Sequence, residues 1–115
     1  MRLPGPVALL VTLATLAAAD YMVVETYCDV FNCTSQNSVW YTAFGSYPIN
    51  ANEGCRDPSD VPGMNQLCMD WGRQRGHFFF DGQGRRCLRK TEDKENHCAG
   101  AVCHRSIWSE VACTW

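Results

Sequence analysis

The chain has 115 residues, eight of them Cys, with ten Lys plus Arg against twelve Asp plus Glu. That length allows one domain, and a net charge of −2 excludes a chain that acts as a polyelectrolyte. A hydrophobic content of 46% excludes a disordered polar chain.

Met1-Arg2 gives a short positive start and Val7 to Leu16 is apolar. Ala17-Ala18-Ala19 then supplies a small-x-small site before Asp20. This pattern predicts a secretory signal over 1–19, cleaved after Ala19, and a secreted, extracellular product over 20–115. The run is too short and too interrupted by Pro4, Gly5 and Pro6 for a membrane span, and no second one follows, so no transmembrane segment is expected. The mature chain is expected to be a single disulfide-stabilised domain and a monomer. A domain this short is marginal without staples. In an oxidising compartment Cys28, Cys33, Cys55, Cys68, Cys87, Cys98, Cys103 and Cys113 are expected to form four disulfides. Spacing alone leaves on the order of a hundred pairings open.

From Tyr21 to Phe31 apolar and polar residues alternate, which predicts a half-buried strand. Asn32 to Asn37 is a turn cluster, and Asn32-Cys33-Thr34 matches the N-glycosylation sequon, with Asn32 the acceptor. Val39 to Phe44 predicts a second strand, and Tyr47 to Asp60 a loop. Val61, Met64, Leu67, Cys68 and Trp71 recur at helical spacing. Asp57, Ser59 or Asp60 would cap that helix and Gly72 would end it. His77 to Phe80, the turn Asp81-Gly82-Gln83-Gly84 and Arg85 to Lys90 predict a hairpin. Ile107, Ser109, Val111, Cys113 and Trp115 share one face of a closing strand. The expected class is therefore α+β: a small disulfide-rich domain with an antiparallel sheet of about four or five strands and one short helix.

Residues 20–70 are strongly acidic and 71–115 basic. Arg73, Arg75, Arg85, Arg86, Arg89 and Lys90 cluster in or beside the hairpin and form the expected binding surface. Its partner would be a host or competitor protein or glycan, with RNA a lesser alternative because the domain's net charge opposes phosphate binding. His97-Cys98 and Cys103-His104 mirror each other as H-C-x4-C-H. In an oxidising compartment thiols pair rather than bind metal, so no metal site and no cofactor are expected. No catalytic signature is complete. His77, with Arg73, Arg75 and the carboxylates of Glu53, Asp57 and Asp70, is the weak catalytic candidate, as a base for RNA cleavage. Trp40, Trp71 and Trp108 are expected in the core and Trp115 exposed.

The signal, the eight cysteines and the segments Cys68-Met69-Asp70-Trp71-Gly72, Gly76-His77-Phe78-Phe79-Phe80, Arg86-Cys87-Leu88-Arg89-Lys90 and Val111-Ala112-Cys113-Thr114-Trp115 resemble small secreted cysteine-rich proteins of filamentous fungi. That resemblance implies an effector role toward a host or competitor, linked to virulence and without an assigned activity. The early cysteine pair, Ser46-Tyr47-Pro48 and the ending Val111-Ala112-Cys113-Thr114 are similar to secreted fungal guanyl-specific ribonucleases. Ile49 stands where that family's catalytic His follows Tyr-Pro, so the resemblance implies a degenerate enzyme. The first reading is thus a secreted, non-enzymatic binding protein, and a ribonuclease-like protein the second. A small antimicrobial toxin comes last, because membrane-active toxins need a cationic surface.

Overall fold

The computed structural model describes residues 19–98 and 101–115, apart from the side chain of His97. The expected signal, except Ala19, lies outside the described residues. The architecture is all-β, not α+β: nine antiparallel strands form one sheet that curls into a half-barrel, and none of the described residues is helical. In chain order the strands are β1 (Tyr21–Cys28), β2 (Cys33–Thr34), β3 (Ser38–Thr42), β4 (Gly45–Ile49), β5 (Gly54–Arg56), β6 (Met64–Asp70), β7 (Arg75–Phe80), β8 (Arg86–Cys98) and β9 (Ala101–Val111). Across the sheet they run β4-β3-β1-β9-β8-β7-β6-β5, with β2 added to the end of β1. Both outer strands fall inside the segment 47–60 expected to be a loop, in part or whole. Pro48 is compatible with β4 because β4 is an edge, where a missing N–H costs no ladder bond.

The inner face carries the core. Met22 and Val24 of β1, Trp40 of β3, Leu67 and Met69 of β6, Phe78 of β7, Leu88 of β8 and Trp108 of β9 are all buried on it. Trp40 and Phe78 stand four strands apart in sheet order, yet their rings meet edge to face at 4.7 Å. The sheet therefore curls around the aromatic residues. Trp71 caps one side, edge-on to Trp108 at 4.9 Å, with its Nε1 donating to the Ala51 carbonyl at 2.8 Å.

The expected helix is strand β6, and a bulge explains the difference. Met64 pairs Phe80 and Gln66 pairs Phe79, so Asn65 is an extra residue in the ladder. The bulge puts Met64 and Leu67, three positions apart, on the same inner face, imitating a helical i, i+3 stripe. Cys68 is buried as well, on the outer face, where it is bonded to Cys55 on β5. A strand covered on both faces loses its period of two. Val61 belongs to a turn, not a helix: Met64 N donates to its carbonyl, and Gly63 takes φ +81°.

The hairpin β7–β8 forms as expected and continues into the long hairpin β8–β9, with a second bulge at Thr91. The closing strand ends at Val111, and the core takes Ser106 and Trp108 rather than the Ile107–Ser109–Val111 face. Four disulfides brace the sheet: Cys28–Cys33, Cys55–Cys68, Cys87–Cys113 and Cys98–Cys103. No cysteine is free. Among the described residues no helix is long and apolar enough to cross a membrane.

Candidate functional site

The curled sheet divides the predicted basic cluster between its two faces. Register in β7–β8 sets Phe78 opposite Arg86, and Arg75 opposite Arg89. Side chains alternate across a strand, so Arg86 follows Phe78 to the inner face while Arg75 and Arg89 point outward. Like charges directly opposite each other on adjacent strands repel. Here Trp115 intervenes: the guanidinium carbons of Arg75 and Arg89 each lie 5.0 Å from the centre of its ring. The ring's negative face attracts both cations. Cys113, bonded to Cys87 on β8, turns the tail back over the outer face and fixes that placement. Trp115 is thus half-covered rather than free in solvent, and its buried Nε1 has no acceptor among the described residues.

Arg85 and Arg73 flank this stack. Arg85 is exposed, and its carbonyl oxygen lies 3.5 Å from Cys113 Sγ. Arg73 occupies the β6–β7 turn and binds the Asp70 carboxylate at 3.1 Å. That bond, with the Arg73 backbone N–H, holds the Asp70 carboxyl below the usual range. Arg86 and Lys90 are not part of the outer surface. Lys90 pairs with Asp93 at 2.9 Å. The Arg86 guanidinium sits over Phe78 and Phe80 and makes a two-pronged pair with Glu110: Nε to Oε2 at 2.8 Å and Nη2 to Oε1 at 2.7 Å. These bonds strengthen its hold on its proton. Asp20 completes the cluster, 3.6 Å from Arg86 Nη2, and accepts from Trp40 Nε1 at 3.3 Å. Burial outweighs both partners and raises the Asp20 carboxyl above its ordinary range.

His77 lies on the outer face between Cys68 of β6 and Cys87 of β8, edge-on to Phe79 at 5.9 Å. Burial, then the nearby Arg85 charge, lowers its pKa, so the imidazole is neutral at pH 7. Two of the three carboxylates expected to assist it are engaged elsewhere: Glu53 accepts the Trp71 N–H at 2.9 Å and Asp70 holds Arg73, while Asp57 is exposed on the loop after β5. The geometry does not assemble an acid–base pair around His77.

Cys98 and Cys103 are joined, and His104 Nδ1 faces Asp93 Oδ1 at 3.6 Å. The His97 side chain and Ala99-Gly100 lie outside the described residues. Among the described residues no group of three or more His, Cys, Asp or Glu is placed to hold a metal ion. Asn32 is exposed on the Cys28–Cys33 loop, where Asp29 Oδ1 accepts the N–H groups of Phe31 and Asn32.

The Arg75–Trp115–Arg89 arrangement could not be read from sequence, since it joins three segments through one disulfide. The one available signal was the odd placement of a terminal Trp two residues after a Cys. Comparison with known proteins gives no match: no family model fits the chain, and no curated protein or solved structure matches it.

Proposed function

We propose that the chain is a secreted, effector-like binding protein without enzymatic activity, which meets a host or competitor partner through the outer face of the β7–β8 hairpin. The observation that carries this reading is the stack of Arg75, Trp115 and Arg89. Trp and Arg dominate the energetics of protein interfaces because each combines large contact area with directed polar groups. A ring held against two guanidiniums and tethered by Cys87–Cys113 loses little freedom on binding, so more of its contact energy is available as affinity. The exposed Arg73 and Arg85 extend the cationic area, which suits a partner presenting carboxylates. Four disulfides and a signal-like start support the same reading.

The test is affinity capture from host-tissue extract with the folded protein as bait, against its reduced and alkylated form. A partner held by the folded bait and lost with both the control and an Arg75→Ala/Arg89→Ala variant is the expected result. Undiminished capture by that variant would refute the assignment of this surface.

A further inference from the structure

The inner face opens where β1 begins and β9 ends, forming a cleft of about 1110 Å³. Phe44 and Tyr47 of the β3–β4 hairpin, Val61 and Pro62 of the turn before β6, Phe80 and Val111 supply its walls. This is the opposite side of the sheet from Trp115. We propose that the cleft is a binding site for an uncharged, mainly apolar small molecule of lipid size.

Three observations lead there. Pockets for small ligands measure about 300–1,000 Å³, a little less than this cleft, and are lined mainly by apolar and aromatic groups, as here. Phe44 at the rim is 93% exposed, on a two-residue turn between Thr42 and Gly45 that packs nothing against it. Its exposure is unfavourable unless something covers the ring. Third, the charged groups of the cleft are spent on protein partners. Arg86 gives two bonds to Glu110 and a third, from Nη1, to Gln83 Oε1 at 3.0 Å. Asp20 takes Trp40 Nε1, and Thr42 Oγ1 accepts from Phe44 N and donates to the Gly45 carbonyl. An anionic headgroup would therefore find Arg86 occupied and two carboxylates beside it.

A cationic headgroup is excluded by the chain's own terminus. Asp20 N lies 3.0 Å from Glu110 Oε1. Cleavage after Ala19 turns that amide nitrogen into an ammonium, which balances the second carboxylate of the Asp20–Arg86–Glu110 cluster. This step rests on the secretory reading above. The inner end of the mature cleft is then neutral, and burying a charged group against it would cost more than it returns.

The experiment uses the full chain expressed through a secretory host and recovered from the medium, its N-terminus fixed by intact mass. Nile red, a neutral apolar dye, is titrated by fluorescence and then competed with decanol, decanoate and decylammonium, which share one chain length and differ in charge. Saturable binding at one site is expected, with decanol displacing the dye at least about tenfold better than either ion. Phe44→Arg and Ala112→Trp, both at exposed positions of the rim, should each weaken dye binding about tenfold without shifting the unfolding midpoint. Trp115→Ala on the other face should leave it unchanged. Dye binding no better than that of the reduced chain, insensitivity to both rim variants, or preference for either ion overturns the proposal. A mature N-terminus other than Asp20 refutes the cleavage reading, while the titration still decides the cleft.

Discussion

Arg86 and Glu110, on neighbouring strands of the same hairpin, are joined by a fork of two short hydrogen bonds, 2.8 and 2.7 Å, inside the mouth of the half-barrel. Side-chain exposures of 21% and 18% place the pair mostly out of water, where a planar donor matched to a carboxylate is worth more than charge alone. Arg86→Lys keeps the charge and loses the fork, together with stacking over Phe78 and Phe80. The expected cost is about 1.5–3 kcal/mol, read from denaturant unfolding. An unchanged midpoint would show that the pair acts only as a loose electrostatic contact.

Asp20 gives the cluster a pH dependence with an inverted sign for a carboxylate. Burial raises its pKa in the folded chain, so the folded state holds this proton more tightly than the unfolded one. Its contribution to stability is therefore fully present below the ordinary carboxylate range and is lost as pH rises through the folded value. Asp20→Asn removes the titration and can keep an acceptor for Trp40 Nε1. Wild type and variant, both with Ala19 retained so that the Asp20 nitrogen stays an uncharged amide, are to be compared by denaturant unfolding from about pH 3 to pH 7. Wild-type stability relative to the variant should fall with rising pH. A difference that climbs with pH would mean that attraction to Arg86, not burial, governs Asp20.

Asp20 and Arg86 also show where sequence reasoning stops. The alternation in β1 could be read directly, because Met22 and Val24 are apolar and face the core. Along β9 the same rule selected the wrong face. Its inner residues Ser106 and Glu110 are polar, each used by another residue: Ser106 Oγ accepts from Trp108 Nε1 and Glu110 binds Arg86. In β6 the bulged Asn65 converted a strand into a false helical period. Arg86 looked like its basic neighbours because its partners come from β9 and from the residue just before β1, one of them at 24 positions' remove. Periodicity reports burial only where a face is uniformly apolar, and a site closed by long-range pairs has no local signal.

Gly76 is fixed by packing rather than by turn geometry. It faces inward, opposite Met69 on one side and Leu88 on the other. A Cβ there would lie 2.7 Å from the Cys68 carbonyl oxygen and 3.3 Å from Met69 Sδ. The methionine can move, but the carbonyl belongs to a strand held by Cys55–Cys68. Gly76→Ala is expected to destabilise the fold by about 1–3 kcal/mol through overpacking. The check is the unfolding midpoint of the variant against wild type. Equal midpoints would show that β6 and β7 separate more easily than their disulfide-braced register implies.

The four disulfides should differ in worth according to the chain they close. Cys28–Cys33 and Cys98–Cys103 each span five positions, whereas Cys87–Cys113 spans 26. Loop-closure entropy assigns about 2 kcal/mol to each short bridge and about 3.5 kcal/mol to the long one. The long bridge has a second effect, because it carries the tail that sets Trp115 against Arg75 and Arg89. Cys87→Ala/Cys113→Ala is therefore expected to lose more stability than Cys28→Ala/Cys33→Ala, and to expose Trp115 to acrylamide quenching while the folded core remains. The short-loop variant should leave that quenching as in wild type. Equal losses from the two pairs, or quenching unchanged in the long-bridge variant, would show that the tail is held by the aromatic–guanidinium contacts without its tether.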